Sequence, residues 1–254
     1  MSQTVQTRAR ALTASRPARF RLKRWLLATV VLSTAVGLFY EITIAMRITR
    51  LKHVNPSSTS LMDQRASEAL AAGQQPKHDQ IWVPYSKISP NVVRAVLAGE
   101  DSRFFDHSGF DWDEMQKALE EDWQKMKFER GASTISQQLA KNLFLSTSKN
   151  PLRKLQEALI TWEMEHILGK RRILELYLNV IEWGDGIYGV EAASHHYFDT
   201  SASTLSPDQA AFLSAIIPNP RVTFNPTLHK RRVDHRRLLV ERLMRHVVVP
   251  RDLT

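Results

Sequence analysis

A chain of 254 residues with 43% hydrophobic content can bury one sizeable core and a small second lobe. Its net charge of +9 is concentrated at one end: residues 1–24 carry seven basic side chains (Arg8, Arg10, Arg16, Arg19, Arg21, Lys23, Arg24) and no acidic one. The remainder is close to balanced, which argues against a chain-wide polyanion surface and against a nucleic-acid partner. The lack of cysteine excludes thiol catalysis and cysteine-based metal sites, and is compatible with a periplasmic or a cytosolic domain.

Directly after the basic tail, Trp25 to Tyr40 holds no charge; Glu41 interrupts, and Ile42 to Met46 continue apolar before Arg47, Arg50 and Lys52. Residues 25–46 make up roughly the 20 positions that a bilayer core requires. A buried core helix or a cleaved signal peptide fits the same string. The length of the tail and the continuation past Glu41 favour a retained, single-pass transmembrane anchor. The charge bias then places the N-terminus in the cytoplasm and everything after residue 46 outside.

Residues 47–80 read as a polar connector, with Pro56, a Ser/Thr run at 57–60 and Gly73-Gln74-Gln75-Pro76. From residue 81 to 254 helix signals dominate and the spacing predicts a mostly α domain. Ser89-Pro90 opens a helix through Val92, Val93, Val96 and Leu97. Asp111 with Glu114 predicts a capping box and a helix running to about Gly131. Asn150-Pro151 starts another, carrying Leu152, Leu155, Leu159, Trp162 and Ile167 and ending at Gly169. Lys170 to Leu178, a helix opened by Ser206-Pro207, and Lys230 to His246 follow. No strand-type alternation is sustained. Trp183 to Gly189 reads as a glycine-rich loop where backbone could approach a ligand.

Three clusters could carry chemistry. Glu100 ends an apolar helix, next to Asp101 and flanked by Phe104 and Phe105; a carboxyl group there is a candidate for the raised pKa of a general base, though an ordinary acidic helix end fits equally. Ser133-Thr134 leads into a helix on which Gln137, Gln138 and Lys141 share a face, suited to an anionic, hydroxyl-rich ligand or simply to solvent. Arg153 and Lys154 pair with Glu157 at helical spacing. Taken alone that is a weak surface ion pair; with Lys141 it groups three cations around one carboxylate, a set suited to a diphosphate with or without a divalent ion.

In order along the chain, these residues resemble the peptidoglycan glycosyltransferase family, which also forms the N-terminal module of bifunctional penicillin-binding proteins, and most of all its monofunctional members. The blocks are Glu100-Asp101-x-x-Phe104-x-x-His107-x-Gly109-x-Asp111, Gly131-x-Ser133-Thr134-Ile135-x-Gln137-Gln138-Leu139-x-Lys141-Asn142, Arg153-Lys154-Leu155-x-Glu157, Arg172 to Asn179, and Gly184 to Ala193. The resemblance implies a lysozyme-like, two-lobed glycosyltransferase domain on the bacterial inner membrane, facing the periplasm. It implies polymerisation of lipid II into glycan strands with inversion, Glu100 acting as base. Asp101 and His107 would hold local geometry, and Phe104 and Asn142 fall in the same binding blocks. Lys141, Arg153 and Lys154 would neutralise the departing undecaprenyl diphosphate. Ser133, Thr134, Gln137 and Gln138 would bind sugar or diphosphate, and Glu157 would hold a divalent cation (Mg or Mn) or orient the cations. Lipid II, the growing strand and the membrane are the implied partners, together with cell-wall synthesis or division proteins as a class.

The same residues leave a peptidoglycan hydrolase and a non-catalytic division anchor as rivals; the cationic set is what a hydrolase of neutral glycosidic bonds has little use for. Ser146-Thr147-Ser148-Lys149 matches a penicillin-binding string but lacks its companion motifs. Trp112 to Phe128, with Trp123, Met126 and Phe128, could dip into the membrane interface or serve the lobe's own core. The basic C-terminal helix (Lys230, Arg231, Arg232, Arg236, Arg237) reads as a solvated face in preference to a lipid-contacting one.

Overall fold

The computed structural model describes residues 18–125, 133–145 and 150–250. Most of the basic tail, Met126, Phe128 and Gly131, and the Ser146–Lys149 string lie outside the described residues. The chain divides into two units, residues 1–47 and 48–254. The first is dominated by α1 (Ala18–Arg50), of which Lys23–Arg50 is long and apolar enough to cross a membrane. Its side chains from Trp25 to Phe39 are exposed, as a lipid-facing helix requires.

The second unit is helical. α2 (Ser60–Ala71) lies inside the stretch read as a polar connector, and so corrects that reading locally. Only Leu61 and Met62 of α2 are buried, too few for an apolar period to show, and the helix is started by the Thr59 hydroxyl accepting from Met62 N. Then come α3 (Pro90–Glu100), α4 (Trp112–Lys125), α5 (Ile135–Phe144), α6 (Pro151–Leu168), α7 (Lys170–Val180), α8 (Val190–Phe198), α9 (Pro207–Ile216) and α10 (Lys230–Met244). The expected starts at Ser89, Asn150 and Ser206 are all capped by those side chains. Gly169, at φ 75°, both ends α6 and opens α7.

Two packing groups build the core: α3 lies against α9 and α10, and α5 lies against α2, α6 and α7. Gly99 lets α3 and α9 come close, because a Cβ there would overlap the Ser214 hydroxyl, which donates to Ala95 O at 2.7 Å. That close approach sits one residue before Glu100.

Three short strands, β1 (Asp79–Gln80), β2 (Glu182–Gly184) and β3 (Ile187–Tyr188), form a sheet in the order β1-β3-β2, β1 parallel and β2 antiparallel to β3. At two or three residues each they are too short to display alternation. The predicted glycine loop is the β2–β3 hairpin, and its glycines serve packing. Gly186 (φ 77°) lies against the Lys77 backbone, and a Cβ on Gly189 (φ 78°) would stand 2.6 Å from Asn179 O. α8, which directly follows Gly189, completes the wall behind this hairpin.

Asn179 ties the sheet side to the helices. Its fully buried amide donates to Val83 O (2.9 Å) and Glu175 O (2.8 Å) and accepts from Val83 N (2.9 Å). Asn179→Ala strands both Val83 groups, so a loss of about 2–3 kcal/mol is expected. A lowered urea midpoint of the full chain in detergent would register it.

Candidate functional site

The site begins where α3 ends. Glu100 is the last residue of α3, and Asp101 caps the helix and turns the chain. Asp101 is held from two directions. His107 Nε2 lies 3.0 Å from Asp101 Oδ1, and Ile135 N, in the first turn of α5, donates to Oδ2 at 3.0 Å. Because Gly109 N donates to His107 Nδ1 (3.2 Å), Nε2 carries the proton shared with Asp101. Thr134 Oγ1 donates to Gly109 O (2.7 Å), and Thr134 and Gln137 form the reciprocal capping box of α5. The 101–111 segment is thereby stitched to the start of α5.

That arrangement sorts the expected binding residues. Thr134 and Gln137 are buried with their polar atoms engaged in the cap, Asp101 and His107 hold each other, and Phe104 is wholly buried with the Lys170 ammonium 4.3 Å from its ring centroid. In this structure these five side chains are engaged within the protein and build the walls, which for Asp101 and His107 is the geometry-holding role that the resemblance implies. Ser133, Gln138, Lys141 and Asn142 do reach the open space. With Glu100 they line a groove of ≈ 610 Å³.

Among the further groove residues that sequence reasoning did not place there are Arg65 from α2, Glu182 from β2, Phe224, and Arg236 from α10. Arg65 donates from Nε and Nη2 to the buried Glu182 carboxylate (3.1 and 3.0 Å), and both members of the pair line the groove. Arg236 had been read as part of a solvated basic face. The missed signal lies in spacing: Val233 and Val240, both buried, flank Arg236 at three and four residues and bring it onto the packed stripe of α10.

Glu100's side chain is only 8% exposed. Burial pushes its pKa up; the Arg236 guanidinium and the Gln138 amide act against that, and Asp101 adds to it. Arg236 Nη2 donates to Oε1 at 2.8 Å and Gln138 Nε2 to Oε2 at 2.9 Å. Tyr177 OH, donating to Gln138 Oε1 at 2.8 Å, fixes which end of that amide faces Glu100. Burial also pushes the Lys141 ammonium below its ordinary pKa; Glu157 opposes this, Arg153 and Lys154 add to it, and Glu100 opposes it.

Arg153, Lys154 and Glu157 come from the first two turns of α6. Glu157 is buried, accepting from Arg153 Nη1 at 2.7 Å and from Lys154 Nζ. Both carboxylate oxygens are thus occupied by cations. No group of three or more His, Asp or Glu side chains able to hold a metal occurs among the described residues. One carboxylate held between two cations does not fit a resident divalent ion. Of the reading for Trp112 to Phe128, residues 112–125 form α4, and Trp112 at its start is exposed and tilted against Phe110.

A helical domain with a buried carboxylate and a lysine at one groove, that lysine coupled in turn to Arg153, Lys154 and Glu157, is the frame of a sugar-transfer enzyme. A family model described as Transglycosylase matches residues 66–245, which contain every groove residue named above except Arg65, and the chain belongs to that family. The chain is 48% identical over 225 residues to a biosynthetic peptidoglycan transglycosylase of Methylobacillus flagellatus, covering 87% of this chain and 96% of that protein. Proteins of the same description from Chromobacterium violaceum (50% over 200 residues, 79% and 88% covered) and Thiobacillus denitrificans (47% over 233 residues, 91% and 99% covered) are similarly related.

Thr134→Ala removes a cap and should cost about 1 kcal/mol of stability while leaving the KM for substrate unchanged. A raised KM without loss of stability would restore Thr134 as a substrate contact. Lys141→Met is expected to do the reverse, with activity lost and the melting temperature maintained or raised, since a buried ammonium is removed.

Proposed function

We propose that this peptidoglycan transglycosylase polymerises lipid II, a disaccharide-peptide on undecaprenyl diphosphate, with Glu100 as general base. The observation that carries this reading is the carboxylate at the groove floor with a raised pKa, beside a lysine whose own pKa is depressed. A base working near neutrality needs the first; a cation waiting for an anion in a desolvated site is the source of the second.

In the reaction, the 4-hydroxyl of the acceptor sugar forms a bond to the anomeric carbon of the donor. The bond from that carbon to the diphosphate oxygen breaks, and its electron pair leaves with the diphosphate. Glu100 takes the hydroxyl proton. Lys141, Arg153 and Lys154 neutralise the leaving group, so charge is stabilised where it develops. Ser133 and Asn142 are placed to bind the substrate's polar groups. Glu157 serves as the anchor that keeps Arg153 and Lys154 side by side. A Mg or Mn ion would have to arrive as a counter-ion of the diphosphate, with Glu157 at most its single carboxylate ligand.

The apolar helix supports a single-pass anchor in the bacterial inner membrane, N-terminus in the cytoplasm by its basic tail and the catalytic domain in the periplasm. Tethering raises the effective concentration of a domain whose substrate is dissolved in the same bilayer. Cell-wall synthesis or division proteins are the class of partner this location offers.

Glu100→Gln should lower kcat on lipid II by a factor on the order of 10²–10⁴ with the fold retained by circular dichroism. Full activity in that variant would remove Glu100 from the base role. The pH profile follows from the groups around it, Arg236, Gln138, Asp101, Lys141 and Tyr177. The ionised base appears as pH rises through the raised pKa of Glu100, so the acid limb of kcat/KM should lie above the ordinary 4.5. Lys141 loses its charge as pH rises through its lowered pKa, so the alkaline limb should lie below 10.5.

A further inference from the structure

We propose that Arg236, on the C-terminal helix α10, is a positioning residue for glycosyl transfer, clamping the Glu100 carboxylate and the peptide carbonyl before it in one grip. The inference rests on the reading of Glu100 as the base. One guanidinium nitrogen, Nη2, donates to Gly99 O at 3.0 Å and to Glu100 Oε1 at 2.8 Å. It therefore fixes the carboxylate relative to the backbone that carries it, and removes the rotation that a glutamate at a helix end otherwise has. Gln138 takes the other oxygen from the opposite wall, and Tyr177 locks Gln138. The carboxylate is left with its in-plane direction set by three helices other than its own.

The guanidinium is itself held. It stands 5.5 Å from the centroid of the Phe224 ring, and Arg236, Phe224 and Glu100 all line the groove. A flat cation between an aromatic face and a carboxylate is a geometry that lysine cannot reproduce, since an ammonium has neither the planar fork nor the stacking face. Arg236 Nε is buried with no hydrogen-bond partner in the protein, so the residue is not placed for a maximal set of structural bonds. Position is the quantity it supplies. A misplacement of about 1 Å at a reacting group costs on the order of 10²-fold in rate.

Charge is the second consequence. Glu100 faces Arg236 from α10, Lys141 and Gln138 from α5, Tyr177 from α7 and its own neighbour Asp101. Of these, Arg236 is the cation in direct contact, and it favours the ionised base. Losing it should move the acid limb of the profile to higher pH, an effect that mere loosening of the fold would not produce.

The test is steady-state polymerisation of lipid II by full-length Arg236→Met, Arg236→Gln and Arg236→Lys across pH, with melting temperatures taken in the same detergent. The Met variant is expected to lose about 10- to 100-fold in kcat with KM changed by less than about threefold, and its acid limb should move upward. Arg236→Gln keeps a donor without the charge, so its limb should also move while kcat falls less; it carries the test where the Met variant does not fold. Arg236→Lys keeps the charge, so its limb should stay in place with kcat only partly restored. Wild-type kcat and profile in the Met or Gln variant would overturn the inference, as would a loss confined to KM with an unmoved limb, which would make Arg236 a substrate contact. Glu100→Gln in parallel separates the two readings. If it is inactive while the Arg236 variants behave as wild type, only the positioning role fails; if it is active, the base assignment fails first.

Discussion

Keeping a carboxylate ionised at the floor of a groove, against the desolvation that raises its pKa, is the constraint to which the surrounding helices answer. Glu100 could not be held by α3 alone, because the preceding turns of that helix are apolar and buried between α9 and α10. Its support comes sideways: a guanidinium from α10 and an amide from α5, the amide itself aimed by a hydroxyl from α7. Fewer donors would let burial raise the pKa further; stronger ones would bring it back toward that of an ordinary, weak carboxylate base. The observed balance leaves the pKa raised with burial as the dominant cause.

The cationic cluster around Lys141 obeys the opposite logic. Lys141, Arg153 and Lys154 repel one another, and burial depresses Lys141 further; Glu157 offsets part of that strain by pairing with the two cations of its own helix. In the proposed reaction a diphosphate leaving group completes the neutralisation that one carboxylate begins. Such preorganised charge acts in the transition state without reorganising at the moment of reaction. In the proposed reaction the site thus combines a base with a set of cations, and burial shifts both Glu100 and Lys141 from their ordinary pKa.

Beside them in the sequence stands a set of largely buried polar side chains. Asp101, His107, Thr134 and Gln137 belong to the same sequence blocks as Glu100 and Lys141, yet their hydrogen bonds are spent on one another and on the backbone. A polar residue in a motif needs a partner when buried, but the string of residues does not say whether that partner is a ligand or an amide of the protein. Phe104 makes the same point from the apolar side: its place in the block reflects packing under Lys170.

The chain alone was enough to single out Glu100, Lys141 and the Arg153–Glu157 cluster as candidates, and to set most helix starts, because caps, prolines and apolar periods are local signals written within a few residues. It was also enough to mark out the apolar anchor by length and charge. It did not reveal α2, whose apolar period is too brief, nor the strands, which are two or three residues long. Nor did it bring Arg236 to Glu100, 136 positions away, or Arg65 to Glu182, since those contacts depend on how separate helices cross. Only the tertiary structure decided which polar residues face the groove and which are consumed in building it. The reason is physical: burial and partner choice are properties of the packed whole, whereas helix formation is settled by neighbours along the chain.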